Sequence, residues 1–182
     1  MQKEELILIL GGARAGKSTF ALRLANERSK KVCFIATAEA LDQEMQSRID
    51  VHKAERPSSW LTIEEPRELD SALREAAFCD VVIVDCLTLL VSNWMMAEPE
   101  PTAMNASLAR VFDAFYSMTS SRRQTVILVS NEVGLGIVPD NEQGRLFRDT
   151  LGRVNQVAAA AADRVYLLVA GLPMQLKPGR DL

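Results

Sequence analysis

The sequence lacks several features that would direct a protein to a particular class of partner. The 21 Lys and Arg residues are balanced by 24 Asp and Glu, giving a net charge of -3, so there is no basic excess. A general attraction to nucleic-acid backbones or acidic membranes is therefore not expected. No apolar run approaches the roughly 18 residues of a membrane-spanning helix, and the acidic start is unlike a signal peptide. We expect a soluble, cytoplasmic protein.

Cysteine is also scarce, with Cys33, Cys79 and Cys86 as its only occurrences and no C-x-x-C pair among them. An odd number of thiols within or beside apolar runs predicts neither a disulfide framework nor a zinc site. They are typical of buried thiols in a reducing cytosol. The 182 residues, of which 48% are hydrophobic, are enough for one substantial core, so a single domain over 1–182 is expected.

Short apolar runs rich in β-branched residues recur along the chain, at 6–10, 32–36, 81–84, 126–130 and 165–170. Because these runs are continuous rather than alternating, they predict strands buried on both faces of a parallel sheet. Helical patterns follow or separate them, at 17–29, 41–56, 102–121 and 145–163. This alternation predicts a doubly wound α/β domain. The acidic, proline-containing segment 93–105 predicts an exposed loop, and 174–177 a short antiparallel strand after a turn.

The strongest motif is "GGARAGKS" at residues 11–18, which lies between the first strand and the first helix. It fits the Walker A pattern, in which backbone N–H groups and a helix N-terminus surround a phosphate. Lys17 would reach the β and γ phosphates, and Ser18 would ligate Mg²⁺. We therefore expect a P-loop NTPase domain with a RecA-like, mostly parallel sheet flanked by helices. The phosphate-binding residues are Gly11, Gly12, Ala13, Arg14, Ala15, Gly16, Lys17 and Ser18.

Acidic and amide side chains follow two other predicted strands. Asp85 ends the apolar run 81–84, where a carboxylate can hold Mg²⁺. Asn131 and Glu132 follow the fourth run at the carboxyl edge, where ligands of open α/β sheets bind. These two either face a substrate or cap the turn after the strand, and the sequence leaves both interpretations open. Asp85 and Glu132 are also candidate general bases.

His52 is the single histidine of the chain. If 41–56 is a helix, Leu41, Met45, Ile49 and His52 share one stripe, so the histidine could simply end an apolar face. Arg48 and Arg56 flank it at a spacing of four, which would attract phosphate to the same face. Local pattern alone leaves both interpretations open.

Several segments together resemble one enzyme family. They are "GGARAGKS", "IATAEALDQEM", "RIDVHKAERPSSW" with "TIEEP", "VSNEVGLGIVP", "FRDTLGRVNQ" and "AADRVYLLVAGLP", and they extend from about residue 6 to 175. The sequence is similar to the bifunctional adenosylcobinamide kinase / adenosylcobinamide-phosphate guanylyltransferase family of cobalamin biosynthesis. The sequence differs from the usual pattern at Ala15, where serine is common; a loop that binds phosphate through backbone N–H groups should tolerate this.

The resemblance implies two reactions with GTP, ATP and Mg²⁺ as cofactors. ATP or GTP would phosphorylate adenosylcobinamide, and GMP from GTP would then pass to adenosylcobinamide phosphate through a guanylylated histidine, which His52 alone can match. The resemblance also implies that Glu64 binds the guanine edge, and that some members are homotrimers. The residues that it places around the guanine nucleotide are Ala36, Thr37, Ala38, Lys53, Ala54, Glu55 and Arg56.

Two other functions fit the P-loop and Asp85. In a simple small-molecule kinase, His52 would be structural and no covalent nucleotide adduct would form. In a nucleotide-driven switch or assembly ATPase, a macromolecular partner would stimulate turnover and cobinamide would have no effect. Because a fold does not determine a function, the residues by themselves separate these alternatives poorly.

Overall fold

The computed structural model describes residues 5–40, 42–97 and 124–178, together with positions 109 and 113. The predicted helix over 102–121 lies almost wholly outside these ranges. In chain order the elements are β1 (Leu6–Gly11), α1 (Lys17–Arg28), β2 (Val32–Ala36), α2 (Gln43–Ala54), β3 (Leu61–Glu64), α3 (Leu69–Glu75) with a 3-10 turn (Ala76–Phe78), β4 (Val81–Asp85), α4 (Leu87–Ala97), β5 (Thr125–Val129), α5 (Glu142–Ala161), β6 (Arg164–Val169) and β7 (Leu172–Lys177).

The strands form one seven-stranded sheet in the order β3-β2-β4-β5-β1-β6-β7. Every neighbouring pair is parallel except β6 and β7, which form an antiparallel hairpin at one edge. The carboxyl ends of β2, β4, β5 and β1 therefore meet at one edge of the sheet, the usual place for a ligand in an open α/β domain. The predicted mostly parallel sheet with an antiparallel C-terminal strand is confirmed.

The central strands are buried on both faces, which explains their continuous apolar sequences. Ile7 and Ile9 of β1 pack toward α1, whereas Leu8 of the same strand faces the core beneath α3, α4 and α5. All three side chains are fully buried, and burial of each contributes about 1.5–3 kcal/mol relative to exposure. The three cysteines are also buried and unpaired.

Several regions differ from the sequence predictions. Helix α3 was not predicted. Strand β6, predicted to be buried on both faces, has only Val165 and Leu168 buried, because it lies next to the exposed edge strand β7. Residues 93–97, predicted to begin an exposed loop, form the end of α4, because this helix buries Leu90, Val91 and Trp94 against the sheet. Strand β3 was not predicted, since it is only four residues long and its residues are partly or largely exposed at a sheet edge. Pairing with β2 rather than a strong local pattern makes this segment a strand.

None of the helices in the described part of the chain is long and apolar enough to span a membrane.

A substitution of Gly11, the last residue of β1, tests the close packing between the start of the phosphate loop and β6. A Cβ at this position would lie 2.7 Å from the carbonyl oxygen of Leu168, and its φ of 153° is unfavourable for other residues. We expect Gly11→Ala to lower the free energy of unfolding by about 1–3 kcal/mol, measured by urea denaturation. Gly12→Ala is the matched control, because an added Cβ there meets no atom within 4 Å. Equal stability of the two variants would contradict the packing described.

Candidate nucleotide-binding and catalytic site

A cavity of about 420 Å³ lies at the carboxyl edge of the sheet. Its walls come from the loop after β1, the ends of β2 and β4, the residues after β5 and one face of α2. The lining residues are Ala13, Arg14, Ala15, Gly16, Lys17, Ser18, Thr19, Phe34, Ala36, Ala38, Met45, Arg48, Ile49, His52, Glu55, Arg56, Asp85, Cys86, Leu89 and Asn131. The phosphate loop and the segment around His52, distant in sequence, thus share one cavity.

The loop before α1 has the geometry of an anion site. Gly16 is the N-cap of α1 with a φ of 90°, and no side chain caps the helix. The first N–H groups of such a helix are available to a bound anion. Lys17 is buried and donates from Nζ to the carbonyl oxygen of Gly12 at 2.7 Å. Burial lowers the pKa of Lys17, while the nearby Cys86 and Asp85 act in the opposite direction.

Asp85 ends β4 at the centre of the cavity wall. Burial raises the pKa of its carboxyl group; a hydrogen bond with Ser18 and the nearby His52, Arg56 and Lys17 act in the opposite direction. The carboxylate is therefore close to the phosphate loop and to basic groups from α2 and its C-terminal end. Basic groups from the phosphate loop and from the C-terminal end of α2 thus lie near the same carboxylate and favour its charged form.

Cys86 also lines the cavity, but it is not suited to nucleophilic chemistry. Burial, with the negative charge of Asp85, raises the pKa of its thiol to about 12. A nucleophilic cysteine requires a lowered pKa, because the thiolate is the reactive form. The raised thiol pKa therefore favours another side chain as the nucleophile of any covalent step in this cavity.

Thr37 fixes the backbone beside Asp85. It is fully buried, its hydroxyl donates to the carbonyl oxygen of Cys86 at 2.7 Å, and it accepts from the Cys86 N–H at 2.8 Å. The backbone N–H of Thr37 donates to the carbonyl oxygen of Asp85 at 3.1 Å. Asn93 in turn donates to the Thr37 carbonyl oxygen at 2.8 Å. Ala36 and Ala38 line the cavity on either side, but Thr37 is not among the lining residues.

Helix α2 buries none of its residues in the core. Its partly apolar stripe instead faces the cavity, since Met45, Ile49 and His52 are lining residues. Leu41, the first residue of the predicted stripe, lies outside the described residues. The side chain of His52 is 51% exposed, and its Nδ1 lies 3.5 Å from Oε2 of Glu55. The imidazole is therefore accessible from the cavity rather than packed as the end of an apolar core face.

Arg56 lies just after α2 with its guanidinium 3.6 Å from the centre of the Phe34 ring. Its Nε and Nη1 are buried, and neither has a hydrogen-bond partner within the part of the chain that the structure describes. Stacking on an aromatic ring stabilises a cation but leaves its N–H groups unsatisfied. A buried donor pair facing a cavity is best explained by an anionic ligand.

The remaining predicted residues separate into those inside and those outside this cavity. Asn131 lines it, whereas Glu132 lines a second cavity of about 630 Å³ together with Arg148 and Arg153. Lys53 and Glu64 form an ion pair with each other, and neither lines the nucleotide cavity. Gly11, Gly12 and Ala54 are also not among its lining residues.

Sequence reasoning missed two apolar parts of the cavity wall. Phe34 belongs to a continuous apolar strand, so its pattern indicated only a core residue. Leu89 lies on α4, a helix that was not predicted. The stacking of Arg56 on Phe34 leaves no sequence signal, because the two residues are 22 positions apart in the chain.

Comparison with known proteins identifies the family of the chain. Residues 7–176 match the family model described as cobinamide kinase / cobinamide phosphate guanyltransferase. The chain belongs to this family. It is 44% identical over 173 residues to the bifunctional adenosylcobalamin biosynthesis protein CobP of Pseudomonas aeruginosa, covering 93% of this chain and 96% of that protein. The protein CobU of Salmonella typhimurium is 41% identical over 181 residues, covering 94% and 99% respectively.

Solved structures of low sequence identity share the fold. The flagellar accessory protein FlaH of Methanocaldococcus jannaschii has a TM-score of 0.57 at 18% identity, covering 98% of this chain and 80% of that chain. The RadB recombinase has a TM-score of 0.53 at 16% identity, covering 91% and 74% respectively. These likenesses support the P-loop NTPase fold of this cobinamide kinase / guanyltransferase family member and carry no further functional argument.

Thr37 provides a stability test of the cavity wall in this family member. In Thr37→Val, the buried N–H and carbonyl groups of Cys86 would both lose their hydroxyl partner. We expect the free energy of unfolding to fall by about 1–3 kcal/mol. Thr37→Ser keeps the hydroxyl and should recover most of this loss in the same urea titration. A Val variant as stable as the Ser variant would show that these hydrogen bonds contribute little.

Proposed function

We propose that this protein carries out both reactions of its family in the nucleotide cavity. In the first, the hydroxyl group of adenosylcobinamide receives the terminal phosphoryl group of ATP or GTP. In the second, adenosylcobinamide phosphate receives GMP from GTP, which releases pyrophosphate. The single observation that carries the proposal is the meeting of the phosphate loop and the exposed His52 around one cavity.

The kinase step requires positioning and charge neutralisation more than covalent help from the protein. The substrate hydroxyl oxygen forms a bond to the γ phosphorus while the bond to the leaving nucleoside diphosphate breaks, and the hydroxyl proton passes to solvent water. Lys17 would exchange its bond to the Gly12 carbonyl oxygen for phosphate oxygens. The N–H groups at the start of α1 would hold the rest of the phosphate chain.

Mg²⁺ fits the residues beside the loop. Ser18 lies close enough to Asp85 to influence the pKa of its carboxyl group, and both residues offer the hard oxygen ligands that Mg²⁺ prefers. A Mg²⁺ bound through one or two protein groups plus phosphates does not need a larger acidic cluster. When bound, the ion would neutralise phosphate charge as it develops. Asp85 and Ser18 would hold it against the loop.

The guanylyl step assigns covalent chemistry to His52. One ring nitrogen would attack the α phosphorus of GTP, forming a P–N bond while the bond to pyrophosphate breaks. The phosphate of adenosylcobinamide phosphate would then displace the histidine and form the new diphosphate linkage. Glu55 lies near Nδ1, which leaves Nε2 as the ring nitrogen for attack. Nucleophilic catalysis fits an imidazole that is exposed toward the cavity.

The charge and hydrogen-bond donors of Arg56 favour a nucleotide phosphate, rather than a neutral group, as the ligand near His52. Its buried donors have no hydrogen-bond partner among the described residues, and its position four residues after the histidine puts positive charge in the same cavity wall as His52. Arginine suits this role because its planar donors match phosphate oxygens. The Lys53–Glu64 pair lies outside this wall, and we retain Glu64 as the proposed contact for the guanine edge.

The two alternative functions predict different behaviour. A simple P-loop kinase would phosphorylate cobinamide without ever retaining label on the protein. A nucleotide-driven switch would need a macromolecular partner and would be indifferent to cobinamide. Membership of the family and the orientation of His52 toward the cavity both favour the bifunctional enzyme. We also propose, from the family resemblance, that the protein is a homotrimer.

His52→Ala separates the two reactions. We expect this variant to lose guanylyl transfer and to keep its phosphorylation of adenosylcobinamide within roughly tenfold, since phosphoryl transfer needs no protein nucleophile. The measurement incubates each protein with Mg²⁺ and GTP labelled at the α phosphate, denatures it at alkaline pH and maps the retained label by mass spectrometry. Gln46→Ala, on α2 but outside the cavity, should label normally. Equal loss of both reactions in folded His52→Ala would contradict separate roles.

Arg56→Gln tests the unpaired guanidinium. We expect the Kd for GTP to rise about tenfold or more, because a charged hydrogen-bond donor to phosphate is lost. Titration calorimetry with the purified variants provides the measurement. Arg74→Gln is the matched control: Arg74 is exposed, is paired with Asp70 and does not line the cavity. An unchanged Kd in Arg56→Gln would remove the phosphate role.

A further inference from the structure

Asn131 is held in place by hydrogen bonds to both of its backbone polar groups. Its N–H donates to Oγ1 of Thr88 on α4 at 2.7 Å, and its carbonyl oxygen accepts from Nδ2 of Asn155 on α5 at 3.0 Å. Asn155 is itself fixed by Ser130, whose hydroxyl lies 2.7 Å from its Oδ1. Thr88, Ser130 and Asn155 are all buried. Two helices thus immobilise one residue after the end of a strand.

The carboxamide of Asn131 is not used by this arrangement. The residue lines the nucleotide cavity, and among the described residues none makes a hydrogen bond to its side chain. A turn-capping role, the alternative left by the sequence, would employ the side chain to satisfy local backbone groups. Here neighbouring side chains satisfy the backbone of Asn131 instead. Its carboxamide, with two donors and an acceptor, is therefore available to a ligand in the cavity.

Strand order determines which part of a nucleotide this side chain can reach. Strand β5 lies between β1, which leads into the phosphate loop, and β4, which ends at Asp85. The N–H groups of Ser130 and Glu132 donate to the carbonyl oxygens of Ile9 and Gly11, so Asn131 lies beside the start of the loop. His52 is on α2, which follows β2 on the opposite side of β4. Asn131 is therefore on the phosphate-loop side of Asp85.

We propose that the Asn131 carboxamide donates a hydrogen bond to the terminal phosphate of the bound nucleoside triphosphate, and that Thr88 and Asn155 are its positioning residues. This inference rests on the proposed binding of a triphosphate in this cavity. A neutral donor can approach phosphoryl oxygens without repulsion, and a fixed donor stabilises charge on the transferred group without having to reorganise. The same contact does not involve the α phosphate, where His52 reacts.

If this contact exists, substitution of Asn131 should weaken the binding of nucleoside triphosphates but not of diphosphates. Asn131→Ala should weaken binding of GTP and of a non-hydrolysable ATP analogue about tenfold, while the Kd values for GDP and ADP stay within roughly twofold. Calorimetric titration of wild type and variant with each of the four nucleotides measures this difference. Asn141→Ala is the matched control, because it removes the N-cap of α5 outside the cavity. It should lower thermal stability and leave the four Kd values unchanged.

The two reactions should respond differently as well. At saturating nucleotide, we expect Asn131→Ala to lower kcat of the kinase step about tenfold or more and the rate of His52 guanylylation less than about threefold. Thr88→Val should show the same pattern in weaker form, with kcat more affected than KM, and Thr88→Ser should restore it. A structural role alone would lower stability without changing the ratio of the two rates.

Several results would overturn the inference. Equal weakening of triphosphate and diphosphate binding in folded Asn131→Ala would show that the side chain does not contact the terminal phosphate. Unchanged binding of all four nucleotides would have the same meaning. Because the binding test does not require catalysis, it also separates this inference from the proposed function. A wild-type protein that binds triphosphates but never labels His52 would refute the guanylyl step and leave the Asn131 contact testable.

Discussion

The parallel pairing of β2, β4, β5 and β1 is the constraint on which the site depends. Parallel strands bring all their carboxyl ends to one edge, and the residues that follow them must share that edge. The phosphate loop, Asp85 and Asn131 are neighbours for this reason and not because of any sequence proximity. The strands themselves are apolar and buried, so the chemistry is confined to the first residues after each strand.

Hydrogen bonds between the residues after the strands then convert this edge into a fixed wall. Thr37 binds both backbone groups of Cys86, and Thr88 and Asn155 hold those of Asn131. In these contacts, side chains satisfy the hydrogen-bonding groups of the neighbouring backbone. They restrict the backbone before any ligand binds. The opposite wall is different, because α2 buries none of its residues in the core. A hydrogen-bonded phosphate-binding edge thus faces a helix that presents Met45, Ile49 and His52 to the cavity.

The elements that could be predicted from the sequence are those whose structure is determined by their own local residue pattern. Four buried strands and the partly buried β6 follow from continuous apolar runs. The loop at 11–18 follows from a motif with strict spacing. Strand β3 and helix α4 escaped prediction, because edge pairing defines the first and packing against the sheet defines the second. For the site, His52 remained ambiguous until the stripe of α2 was found facing the cavity. The stacking of Arg56 on Phe34 joins residues distant in sequence and leaves no local signal.

The central claim is that one triphosphate lies in this cavity with its terminal phosphates in the loop and its α phosphate beside His52. A crystal structure with a GTP analogue that carries a methylene group between the α and β phosphorus atoms tests it most directly. We expect the β phosphate to contact the N–H groups of the loop and Lys17, with the α phosphate next to the imidazole and Arg56. An analogue bound in the loop with its α phosphate directed away from α2, or bound beside Glu132 and Arg148, would contradict the account.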